Sequence, residues 1–112
     1  MSKFDDKLKL YSEKLKEIEP NFDAELLRKV TKGLGPSIYK ADAETIACTD
    51  KTETGRVREN FLKKKLGLKL SDEELDKAIE EVCKKFPSRA KKYRAIVYYL
   101  LTKKFKKEDV YA

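Results

Sequence analysis

A chain of 112 residues with formal charge +7 has room for one hydrophobic core and not for two. Its makeup, 42% charged and 40% apolar with only 4 Gly and 3 Pro, is that of a soluble helical protein with enough apolar residues to fold, and argues against a disordered chain. The longest apolar run, Ala95 to Leu101, falls far short of the ~20 residues that a membrane-spanning helix needs, and the mixed charges of "MSKFDDKLKLYSEKL" lack a secretory signal's apolar stretch, so a cytoplasmic protein without a membrane partner is expected.

The first predicted helix follows from Phe4, Leu8, Tyr11, Leu15 and Ile18, which share one face at helical spacing, with Ser2 and Asp5 suited to cap it. Pro20 and Asn21 break the pattern. Asp23 opens a second helix that turns Leu26, Leu27, Val30 and Leu34 to one side, and Gly33 or Gly35 ends it ahead of Pro36. The next stretch, "GLGPSIYKADAETIAC" at 33–48, holds only Lys40, Asp42 and Glu44 as charges. A structureless connection of this length is uncommon in a compact domain, so an ordered segment is expected, with a short helix at "PSIYKA", Ile38 and Tyr39 packing, and "ETIACT" extended. "DVYA" at the end of the chain is the one visible partner strand, too short to make a sheet.

A third helix starts near Asp50 or Thr52 and runs to Leu66, stopped by Gly67. Val57 and Phe61 lie on one side of it and Leu62 and Leu66 on another, which predicts contact with two neighbours. "SDEE" begins a fourth helix with a capping box and acids in its first turn; Leu75, Ile79, Val82 and Phe86 form its apolar face until Pro87. The fifth, from about Ser88 to Phe105, is apolar nearly all round at "AIVYYLL" and should run through the core. The fold class expected is all-α: one domain over residues 1–112 of about five helices, a central C-terminal helix, and an ordered irregular segment between the second and third.

"KVTKGLGPSIYKADAETIACTDK", "NFLKKKLGL" and "KYRAIVYYLLTKKFKKEDVYA" resemble a small family of bacterial proteins known only as a domain of unknown function. The likeness covers nearly the whole chain. It implies a bacterial, soluble, helical domain and carries no catalytic residue, ligand or cofactor with it.

Chemistry is limited by what is missing. There is no histidine, and no GxxxxGK[ST], GxGxxG or GxSxG, so no enzyme, catalytic residue or cofactor is expected. Two cysteines are too few ligands for structural zinc, and no metal site is assigned. Cys83, at the margin of an apolar face, reads as a small buried hydrophobe, and Cys48 has no basic neighbour to lower its pKa.

Charge supplies the candidate sites. Residues 1–50 carry 9 bases and 10 acids, residues 51–112 carry 18 and 10, and the stretch 87–107 has 8 bases and no acid. "SRAKKYR" sets Arg89, Lys91, Lys92 and Arg94 at the expected start of the last helix, where free N–H groups favour an anion. Lys92, Tyr99, Lys103 and Lys106 share one side of that helix, a basic and aromatic interleaving suited to single-stranded nucleic acid. "RVRENFLKKKLG" superficially resembles a helix-turn-helix entry, but the next helix opens with Asp72, Glu73, Glu74 and Asp76, which phosphate repels; this argues against sequence-specific DNA. The function expected is a non-enzymatic binding module whose basic C-terminal half meets an acidic partner, either an acidic protein surface or RNA. The alternative is an enzyme or small-ligand protein with a pocket around 35–50, lined by Tyr39, Ile46 or Cys48.

Overall fold

Three helices begin at polar caps. A computed structural model describes residues 3–111. Helix α1, Lys3–Ile18, buries Tyr11 and Leu15; the Ser2 cap expected for it lies outside the described residues. Helix α2 spans Ala24–Gly33, and its cap Asp23 accepts a hydrogen bond from the Leu26 N–H at 3.0 Å. A 3-10 turn over Gly35–Tyr39 and the single-turn α3, Ala41–Glu44, order the quiet segment. Helix α4, Lys51–Arg56, is capped by Asp50, which accepts from Thr52 N at 2.9 Å. It passes without a break into a π-helical segment, Val57–Lys65. Ser71 accepts from Glu74 N at 3.2 Å and starts α5, Asp72–Cys83. Helix α6, Arg94–Lys104, and a 3-10 turn at Glu108–Tyr111 complete the fold. No strand occurs among the described residues, so the all-α expectation holds, with six α-helices in place of about five.

Helix α6 is the core's axis. Ala95, Ile96, Val97, Tyr99, Leu100, Leu101 and Thr102 are all buried, and α1, α2, α3 and α5 pack around them. Its start differs from the sequence expectation: it begins at Arg94, not Ser88. Ala90 N donates to Pro87 O at 2.9 Å in a turn, and Tyr93 is extended, paired antiparallel with Thr45 in an isolated bridge. The extended "ETIACT" therefore finds its backbone partner there, with Ile46 N donating to Lys92 O at 2.8 Å, while "DVYA" coils into the last 3-10 turn.

The π-helical winding explains the divided apolar pattern of 57–66. Its i→i+5 bonding, as in Leu66 N to Phe61 O at 2.9 Å, widens each turn and brings residues four and five apart over one another. Val57, Phe61, Leu62 and Leu66 are buried together on one broad face, which meets α5 and, through the Phe61 ring stacked at 3.8 Å, Tyr98 of α6. Gly67, at φ 67°, takes the left-handed conformation that ends the segment.

The cysteines are not free. Cys48 and Cys83 form a disulfide with their Cα atoms 6.3 Å apart, tying the quiet segment to the end of α5. A bond closing 35 residues is worth about 3–4 kcal/mol in the chain-entropy picture. Further ties hold the same segment. Ile38 and Ile46 enter the core; Glu44 accepts from the buried Tyr11 hydroxyl at 2.5 Å and from Lys7 at 2.8 Å; and Arg94 Nε donates to Ala43 O at 2.7 Å. Tyr39, expected to pack, is instead 45% exposed.

Candidate binding surface

The turn that delays α6 creates a cleft. Because residues 87–93 do not continue a helix, they leave the body of the fold between Phe86 and Tyr93 and run past the C-terminal half of α1. A cavity of about 310 Å³ opens there, with Ile18, Phe86 and Tyr93 as its apolar floor and Lys14, Arg89 and Lys91 at its rim. Arg89 and Lys91 are exposed, and among the described residues neither forms an ion pair. Glu17 is the one acid in the lining, 3.9 Å from Lys14.

Four other bases of the 87–107 run, Lys92, Arg94, Lys103 and Lys104, are engaged. Arg94 lies with Nη2 2.5 Å from Glu53, Nη1 3.1 Å from the Tyr98 hydroxyl and Nε on Ala43 O; at 16% side-chain exposure, it braces α6, α4 and the quiet segment. The Lys92 ammonium donates to the carbonyls of Ser88 and Ala90. Lys103 pairs with Glu108 at 3.4 Å and Lys104 with Glu81 at 2.6 Å. Salt-bridged Lys104 holds the Glu81 carboxyl below its usual range.

Tyr99 corrects the expected aromatic stripe. Its ring is 2% exposed, and its hydroxyl accepts the Asp23 N–H at 2.7 Å, so it braces the start of α2 and offers no face to a base. Burial raises its pKa. Burial also pushes up Tyr11, helped by its hydrogen bond to Glu44. Of the six candidate contacts Arg89, Lys91, Lys92, Arg94, Tyr99 and Lys103, the cleft brings together Arg89 and Lys91 alone. The dipole argument for a bound anion lapses as well, since these two precede the helix by several residues.

The expected pocket also divides. Ile46 and Cys48 line a separate groove of about 790 Å³ between the quiet segment and α5, with Cys83 in the same wall. Tyr39 lies elsewhere. Glu44 is turned to Tyr11 and Lys7.

The basic segment 56–65 meets the acids that follow it. Arg58 forks onto Asp76 at 2.9 and 3.0 Å and reaches Glu59 at 2.8 Å; Lys63 lies 2.6 Å from Asp72 and 2.9 Å from Glu59. Arg58 and Lys63 hold the Glu59 carboxyl below its ordinary pKa, and Lys63 does the same for Asp72.

Sequence spacing could not have shown the cleft. Its α1 wall, Lys14 and Ile18, is about seventy positions from Arg89, and alone Lys14 reads as ordinary helix surface and Ile18 as part of a core face. The disulfide was hidden for the same reason.

A small all-α fold with one continuous core, a disulfide-clipped connector and a cationic cleft defines a class of compact helical protein, without naming a chemistry. The chain belongs to the family described as "Protein of unknown function (DUF2853)", whose sequence pattern matches residues 10–109. No curated protein matches it.

Proposed function

We propose that the protein is a non-enzymatic binding module that takes an acidic protein segment in the cleft between α1 and residues 86–93. The observation that supports this reading is the pair Arg89 and Lys91, exposed and without acidic partners among the described residues, over an apolar floor. Long-range attraction to these cations orients an acidic segment, and one apolar anchor displaces water from the floor of Ile18, Phe86 and Tyr93. RNA is served less well, because the ring of Tyr99 is buried and stacking needs an open one.

The test is a titration of the whole protein with a labelled peptide of Glu and Leu, and separately with single-stranded polyuridylate, at about 50 and about 200 mM salt. The peptide is expected to bind more tightly, to weaken with salt, and to lose about tenfold in affinity with Arg89→Glu and Lys91→Glu. Tighter binding of polyuridylate, or peptide binding indifferent to the two reversals, overturns the reading.

A cytoplasmic setting is part of this proposal. No helix among the described residues is long and apolar enough to cross a membrane. The Cys48–Cys83 disulfide would in that compartment belong to the transient or redox-sensing kind.

A second reading, a small-ligand protein, is favoured by the groove of about 790 Å³ walled by Ile46 and Cys48.

A further inference from the structure

The groove between the connector and α5 has a disulfide in its wall and more positive than negative charge around it. Four cations line it, Lys51, Arg58, Lys84 and Lys92, against two acids, Asp76 and Glu80. Arg58 is held by Asp76, and Lys84 by Glu80 at 3.2 Å. The other two are not neutralised. Lys51 is exposed and forms no ion pair among the described residues, and Lys92 donates to main-chain carbonyls alone. The two sulfurs also differ: Cys83 is 8% exposed at the end of α5, while Cys48, on the connector, is the more open.

Disulfides open by attack of a thiolate, at a rate set by access to the sulfur and by the local concentration of the attacker. A cation surplus beside the open sulfur raises that concentration for anionic thiols and lowers it for cationic ones. We propose that this groove docks an anionic low-molecular-weight thiol, which reversibly opens the Cys48–Cys83 bond. The inference rests on the small-ligand reading of the groove.

In the first step, the ligand thiolate attacks Sγ of Cys48. A new sulfur–sulfur bond forms there, the Cys48–Cys83 bond breaks, and its electron pair leaves on Cys83, which takes a proton from water. A second ligand thiolate then attacks the ligand's own sulfur in the mixed disulfide. This releases Cys48 as a thiolate and the ligand as its symmetrical disulfide, so two ligand thiols supply the two electrons. The reduced protein keeps the Ile46 to Lys92 hydrogen bond and the Glu44 to Tyr11 contact but loses the tie from Cys48 to α5. The clip is therefore removable without detaching the whole connector.

The full, oxidised chain is to be treated with glutathione, which carries two carboxylates, with neutral 2-mercaptoethanol and with cationic cysteamine, rates being corrected for the thiolate fraction of each. The mixed disulfide is located by peptide mass mapping. S-methylglutathione, which cannot exchange, is titrated in parallel while amide shifts are followed. The expected result is an adduct on Cys48, with glutathione reacting at least about tenfold faster than cysteamine, an advantage that shrinks with salt and with Lys51→Glu. Equal corrected rates, or an adduct on Cys83, overturn the inference. If S-methylglutathione then still shifts amides around Thr49 and Lys84, the small-ligand reading stands without the exchange; if it shifts none, both fall.

Discussion

Two basic segments that look alike in sequence end in opposite conditions. Residues 56–65 and residues 87–94 each carry a run of Arg and Lys, but Arg58 and Lys63 are met by Glu59, Asp72 and Asp76, while Arg89 and Lys91 are met by none of the described acids. The first run is followed by a helix whose opening turn is acidic, and the tight turn at Gly67 folds that helix back beside it. The second is followed by α6, whose first turn carries no acid. A charge run becomes available to a partner only when the fold brings no acid to it. Even within 87–94 the distinction recurs, since Arg94 faces inward and Arg89 outward.

That contrast can be tested first where the effect should be greatest. Arg94→Ala leaves Glu53, itself only 18% exposed, without its partner and frees the Ala43 carbonyl; a loss of about 3 kcal/mol is expected in urea denaturation. Arg58→Glu sets a new acid among Glu59, Asp72 and Asp76 and should cost about 1 kcal/mol by the same measurement, near the upper end for exposed pairs. Arg89→Glu should stay within about 0.5 kcal/mol of the native stability while weakening peptide binding. Should Arg89→Glu prove as destabilising as Arg58→Glu, the contrast between the two segments fails.

Acid titration sharpens the same comparison. The folded-state pKa values of Glu59 and Asp72 are depressed, so their pairing stabilises the fold above the ordinary carboxylate range and is lost as pH falls through the folded values. Native stability should therefore decline below about pH 4, and the slope should shrink in Arg58→Ala and Lys63→Ala but not in Arg89→Ala. At the alkaline end the sign is reversed. Burial pushes Tyr111 up to about 12, so its contribution is complete below the unfolded tyrosine value near 10 and fades as pH rises toward 12. Absorbance at alkaline pH should show Tyr111 ionising late, and the fold weakening over that interval.

A gain in stability is expected at a lysine that the sequence placed on a stripe. Lys106 has φ 55° and stands just past α6 in the left-handed position, where Lys107 N closes onto Thr102 O at 2.9 Å. Lys106→Gly should raise stability by about 0.5–1 kcal/mol in thermal or urea unfolding.

Much of the fold was legible because the signals are local. Asp23, Asp50 and Ser71 are short polar side chains ahead of amphipathic runs, and all three cap helices. The all-round apolar character of "AIVYYLL" placed α6 at the centre. The site was less legible. Arg89 and Lys91 were singled out together with Lys92, Arg94, Tyr99 and Lys103, and nothing in their spacing separates the two outward cations from the bases turned to carbonyls or carboxylates.

What the amino-acid sequence determined by itself was the helical class, the starts of α2, α4 and α5, the turn at Gly67, and the existence of a packed segment at 33–48. Those follow from periodicity, capping and backbone permissiveness, each decided within a few residues of chain. The tertiary structure alone decided the Cys48–Cys83 bond, the Thr45 and Tyr93 pairing that delays α6, the π-helical winding of 57–65, and which cations remain unpaired. Each of these depends on groups brought together from different elements, such as Arg58 with Asp76 and Cys48 with Cys83, or on the packing of a whole face. Local preference is silent there, and the choice falls to side-chain fit and to the satisfaction of buried polar groups.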